Sequence, residues 1–166
     1  MRANATVVMA AFCALWQPAL AKPTIQTVDV PGEADTQLEA INDADVIAGI
    51  VDGTSGHGLI RAVDGTFTIF DPPGADETGV SGINAVGDTV GVFSYNNNFN
   101  SACFIRSTAG IYTIFGPMTG HRPLGDRSGI NDEGDSAGLA TRSRYLHAFL
   151  RNASGVTSKF LKKQNR

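Results

Sequence analysis

Three arginines are the side chains best placed to do chemistry. Arg61, Arg106 and Arg151 each follow two apolar residues and stand four residues before a glycine, at Gly65, Gly110 and Gly155. A guanidinium is planar, permanently charged and rich in N–H donors. A row of three can line a pocket for an anionic or sugar ligand. The same groups can instead pair with carboxylates at Asp43, Asp132, Asp29 or Asp71. Bidentate pairing between strands is what arginine does well, so the sequence favours ion pairs over a pocket.

The other reactive residue types are thinner. His57 and His147 hold equivalent positions but have no cysteine or carboxylate at ligand spacing, so no metal site is expected. The acidic residues Asp43, Asp45, Asp132, Glu133 and Asp135 lack the alternating spacing of a calcium loop and read as turn formers. No pair of carboxylates stands out for glycoside hydrolysis. Cys103 falls where its counterparts are Gly58 and Ala148, a small-residue packing position, so it reads as a buried thiol. Asn96–Asn100 is a polar loop with one aromatic, which makes Asn97 and Phe99 local candidates for glycan or protein contact. No catalytic residue and no cofactor is expected.

These residues sit in a repeat. Gly129–Gly138 reads G-I-N-D-E-G-D-S-A-G, and its Ile, Asn and final Gly recur as Ile41, Asn42, Gly49 and as Ile83, Asn84, Gly91. Ile83 lies 42 residues after Ile41, and Ile130 lies 47 after Ile83, with the extra length in Gly116–Gly125. The period is that of four-stranded propeller units. Each copy holds two hairpins. The first turns at Asn42-Asp43-Ala44-Asp45, Asn84-Ala85-Val86-Gly87 or Asn131-Asp132-Glu133-Gly134. There the Asn side chain can bond the backbone ahead, and the fourth residue takes positive φ in a type I turn with a bulge. The second hairpin joins an Arg-ended strand to Phe67–Phe70, Tyr112–Phe115 or Val156–Phe160. Short β-branched and aromatic runs between Gly, Pro, Asn and Asp read as strands, and nothing reads as helix. An extra leading strand, Ile25–Asp29, matches the last strand of a copy and is expected to cover an edge of the first unit or to pair with another chain.

Met1–Ala21 has the form of a signal peptide: Arg2, an uncharged apolar run Thr6–Trp16, and Ala19-Leu20-Ala21 at the cleavage point. The expected mature chain, residues 22–166, is one repeat domain with copies at about 25–66, 67–111 and 112–160, secreted or periplasmic, with no membrane attachment after cleavage. Residues 22–100 carry 2 basic and 12 acidic side chains, and residues 101–166 carry 10 basic and 4 acidic. An acidic first half and a basic second half suit a head-to-tail contact between copies of the chain. Export and the net acidic balance argue against nucleic acid as a partner.

His147-Ala148-Phe149 spells the signature of the bacterial extracellular HAF repeats, and the chain resembles that family further in Ile130-Asn131-Asp132-Glu133-Gly134 and in Phe67–Ala75. The first copy departs with His57-Gly58-Leu59 and the second with Ala102-Cys103-Phe104. The resemblance implies an exported, propeller-like β repeat and carries no catalytic residues with it. The expected fold is therefore all-β, three four-stranded antiparallel units, propeller-like and either partial or completed by oligomerisation, with a β-trefoil-like arrangement as the alternative. The expected function is a non-catalytic module binding protein or carbohydrate through loops at the unit ends. A glycan-active hydrolase or lyase, or a self-assembling structural unit, is the alternative on the same scaffold.

Overall fold

A computed structural model of the chain describes residues 24–52, 56–97, 100–116, 122–142 and 145–160. The expected signal peptide, residues 1–21, lies outside them. The described residues form three four-stranded antiparallel sheets and no helix. The first sheet is β1 (Thr36–Ile41), β2 (Ile47–Val51), β3 (His57–Arg61) and β4 (Phe67–Phe70). The second is β5 (Glu77–Ile83), β6 (Thr89–Tyr95), β7 (Asn100–Arg106) and β8 (Tyr112–Phe115). The third is β9 (Arg122–Ile130), β10 (Ser136–Arg142), β11 (Tyr145–Arg151) and β12 (Thr157–Phe160). Each sheet is a meander in chain order, and every strand pair stays within its own sheet. The sheets are therefore cut after Phe70 and Phe115: β4 and β8 close the unit before them.

The turns follow the chemistry of their residues. In the first hairpins Asp45, Gly87 and Gly134 take φ of 58°, 94° and 83°. Each donates its N–H to the carbonyl of the Asn three residues earlier. Asn42, Asn84 and Asn131 accept the backbone N–H of Val46, Asp88 and Asp135 on Oδ1 at 3.0, 2.8 and 2.8 Å. The glycine that closes each repeat frame has a different cause. The first strand of each of the first two sheets bulges, β1 between Leu38 and Ala40 and β5 between Val80 and Gly82. The bulge pushes a carbonyl at the facing strand, so a Cβ at Gly49 would fall on Gln37 O and one at Gly91 on Gly79 O.

The sheets stack face to face in chain order. Strand β5 lies against β1, β2 and β3, and β9 lies against β5, β6 and β7. The main core is the first such junction: Ala48 and Phe70 of the first sheet meet Val80, Phe93, Ala102 and Phe104 of the second. Phe70 and Phe104 make an edge-to-face pair with centroids 6.2 Å apart, an arrangement that stabilises beyond area burial. At the second junction Val92 and Cys103 meet Ala140 and Phe149, with Phe115 edge-on to Phe149.

Residues 24–30 form no strand, so the expected leading strand Ile25–Asp29 is not present. Ile25 is fully exposed, and the segment engages the fold only further on. Val30 is buried with Val51 and Leu59 on the outer face of the first sheet, and its N–H donates to Thr36 Oγ1 at 3.2 Å. One apolar side chain seats the segment on a face, where strand pairing at an edge was expected.

Candidate functional site

The three arginines end β3, β7 and β11, beside the turns that carry Asn42, Asn84 and Asn131. Antiparallel pairing sets this end: Ile41 pairs with Ile47 and Arg61 with Phe67 here, whereas Val51 pairs with His57 at the opposite end. The turn after Tyr95 also lies at the opposite end, because Tyr95 pairs with Asn100. Asn97 sits in that turn, exposed, with φ of 54°. Phe99 lies outside the described residues. The structure thus groups Arg61, Arg106 and Arg151 and separates Asn97 from them by the length of a strand.

The arginines do not form the expected ion pairs. Among the described residues the one close pair of opposite charge type is His57 Nδ1 with Asp71 Oδ2, at 2.7 Å, and both side chains are more than a third exposed. Asp71 is further engaged by Thr78 Oγ1, which donates to it at 2.6 Å. The guanidinium of Arg106 lies over the ring of Phe70, 4.7 Å from its centroid, and that of Arg151 lies over Phe115 at 4.9 Å. Each also donates through Nη1 to the next residue's carbonyl, Ser107 O and Asn152 O. The physical reason is the stacking of sheets. The upstream sheet presents a phenylalanine face exactly one unit away, and a ring over partly buried charge competes with a solvated carboxylate. The acidic turns are occupied by backbone donors: Asp88 Oδ1 accepts Thr108 N–H, and Asp135 Oδ1 accepts Ala153 N–H.

An amide ladder joins the turns. Asn42 Nδ2 donates to Asn84 O at 3.0 Å, and Asn84 Nδ2 donates to Asn131 O at 3.1 Å. Asp132 Oδ1 accepts Ala85 N–H at 2.8 Å across the second junction. The sequence pattern reveals the asparagines but only their local turn role. The recurrence of the amide at the same place in all three copies was the available signal for the cross-sheet role.

Two hollows follow from this arrangement. At the arginine end, a cleft of about 250 Å3 lies between the first and second sheets. Asn42, Thr68, Arg106 and Thr108 supply polar groups, and Val46, Ile60 and Val86 supply an apolar wall. At the opposite end a hollow of about 250 Å3 is lined by Pro73, Gly74, Phe93, Tyr95, Ala102 and Ile114. Neither holds a cluster of His, Cys, Asp or Glu among the described residues. Burial pushes the Cys103 thiol up to about 12, so it is protonated at neutral pH. Burial also raises the Tyr112 hydroxyl, against the opposing pull of Arg106 beside it. No known family, curated protein or solved structure matches the chain.

Proposed function

We propose that this chain is an exported, non-catalytic repeat module of the HAF kind, a partial propeller that binds carbohydrate or protein at the arginine end of its sheets. The propeller reading over the trefoil rests on strand pairing. A blade is a four-stranded meander that pairs only within itself, as each sheet does here. Export rests on the charge, apolar run and small residues of Met1–Ala21.

The observation that carries the binding reading is the cleft around Arg106. Its guanidinium is held over the Phe70 ring and donates to Ser107 O, which restrains it before a ligand arrives. Beside it stand an amide, two threonine hydroxyls and an apolar wall. Fixed donors next to an apolar surface suit a ring with hydroxyls on its edge and C–H groups on its face. The test is a glycan array and a protein-capture screen with the mature chain, followed by titration of any ligand found. Arg106→Ala is expected to abolish binding and Tyr95→Ala, at the opposite end, to leave it intact. Binding that survives Arg106→Ala and is lost with Tyr95→Ala would refute the assignment. Mass spectrometry of exported protein starting at Lys22 checks the leader.

A further inference from the structure

The two outer faces of the stack are unequal partners of the faces already joined inside it. Leu38 on β1 holds the position that Val80 holds on β5, yet Leu38 is 44% exposed and Val80 only 2%. Ile41 is exposed where Ile83 packs into the core. At the other outer face, Ala137 on β10 holds the position of Ala48 and Val90. Those two are wholly buried and Ala137 is exposed. Leu150 is exposed there too, while its counterpart Ile60 packs into the first junction. Beside the patch where Val30 already covers Val51 and Leu59, the first face is what a preceding sheet would bury, and the other is what a following sheet would bury.

We propose that a second copy of this chain covers both faces, head to tail, by repeating the internal junction. The polar groups that such a junction uses are present and unspent. Asn84 O and Asn131 O each accept a turn N–H and an amide from the preceding sheet, whereas among the described residues Asn42 O accepts only Asp45 N–H. Asn131 Nδ2 has no partner among the described residues. Asp132 Oδ1 bonds Ala85 N–H, and the matching carboxylate on the first sheet is Asp43, which is exposed and faces no sheet before it. In the assembly Asn131 Nδ2 donates to the second copy's Asn42 O, and that copy's Asp43 accepts Asp132 N–H. Arg61 ends β3 as Arg106 and Arg151 end their strands, and Phe160 pairs with Ala148 as Phe70 pairs with Gly58 and Phe115 with Cys103. The backbone register of the third sheet thus repeats that of the first two. Charge agrees: residues 22–100, which hold the first sheet, carry 12 acidic and 2 basic side chains, and residues 101–166, which hold the third, carry 4 acidic and 10 basic. Two chains give six sheets, within the range of closed propellers, and three would give nine, outside it, so the assembly is a two-chain ring.

The test is the solution mass of the mature chain at micromolar concentration, by light scattering. A mass of two chains is expected, and a single-chain mass overturns the proposal. Leu38→Glu and Leu150→Glu, each with unchanged β circular dichroism, are expected to be monomeric alone. Mixed one to one they are expected to form a dimer, because one intact junction survives in the mixed pair. A face-to-face dimer would lose association with one variant only and would not be rescued by mixing, which also overturns the proposal. Asp43→Ala provides a variant that cannot disturb the fold of one chain, since the carboxylate is exposed. It is expected to weaken the dimer about tenfold or more, and an unchanged dimer constant refutes the ladder geometry.

Discussion

Asn84 and Asn131 are joined by a bond that the same side chain makes possible twice over. Asn84 closes its own turn by accepting Asp88 N–H on Oδ1 at 2.8 Å, and its Nδ2 donates to Asn131 O at 3.1 Å. A side-chain amide offers both an acceptor and a donor in one plane. Asn84 is 3% exposed, so neither bond is replaced by water when it is lost. Asn84→Ala is expected to destabilise by about 2–3 kcal/mol, from two bonds and a buried turn left short of partners. Asn84→Asp keeps the turn acceptor but sets a buried carboxylate oxygen against Asn131 O, so its cost is expected to be at least as large. Asn131→Ala, on an exposed residue, is expected to cost ~1 kcal/mol or less. Urea unfolding of the three variants measures the order.

Gly91 and Gly129 make a second contrast. A Cβ at Gly91 would meet Gly79 O and the Phe104 ring, and one at Gly129 would meet nothing within 4 Å. Gly91→Ala is expected to cost about 3 kcal/mol or more, through backbone that cannot retreat, and Gly129→Ala to stay within ~0.5 kcal/mol. Thermal melting of the two variants decides it.

The thiol of Cys103 gives stability an alkaline edge. In the unfolded chain it ionises near 9.0, and in the folded chain not until about 12. Above pH 9.0 the unfolded state therefore binds fewer protons. The stability from this group is full below pH 9.0 and falls as pH rises toward about 12, by at most ~1.4 kcal/mol per pH unit. The raised Tyr112 hydroxyl adds a fall of the same sign at higher pH. The alkaline decline in urea midpoint is expected to flatten in Cys103→Ala. At neutral pH, thiol reagents are expected to label Cys103 only at the rate of unfolding.

Arg106 over Phe70 replaces the ion pair that the sequence favoured. Arg106→Met keeps most of the stem and removes the charge, so its cost is expected to be about 1 kcal/mol. Added salt is expected to leave that difference nearly unchanged, because the ring, unlike a surface carboxylate, is not a screened charge. Parallel unfolding of the two proteins at low and high salt provides the measurement.

The sequence was most legible where the cause is local. The bulged turns at Asn42, Asn84 and Asn131 follow from residues within five positions, and strand content follows from β-branched and aromatic runs bounded by breakers. The copies of Asn and Gly also announced a repeat. What failed was the assignment of partners. Charge complementarity pointed Arg61, Arg106 and Arg151 at carboxylates, but the neighbour of Arg106 comes from the preceding sheet and is an aromatic ring. No local pattern says which side chains two stacked faces bring together. The leading segment misled for a related reason. Residues 25–29 have the residue types of a strand, but they pair with neither edge of the first sheet, and a single valine seats the chain on a face instead. The sequence offers Asn97 and the arginines as candidates without saying where they lie, and the alternation of strand direction puts them at opposite ends.

The amide ladder has an evolutionary corollary. Both seams between the described sheets share one amide bond on equivalent turns, and the second adds Asp132 Oδ1 with Ala85 N–H. A gene of this kind can lengthen or shorten by in-frame copying or deletion of one period, and each product inherits compatible joints without compensating change. Diversity in such a lineage would accumulate in the number of modules and in the hairpin tips, while the asparagines stay fixed as the common thread.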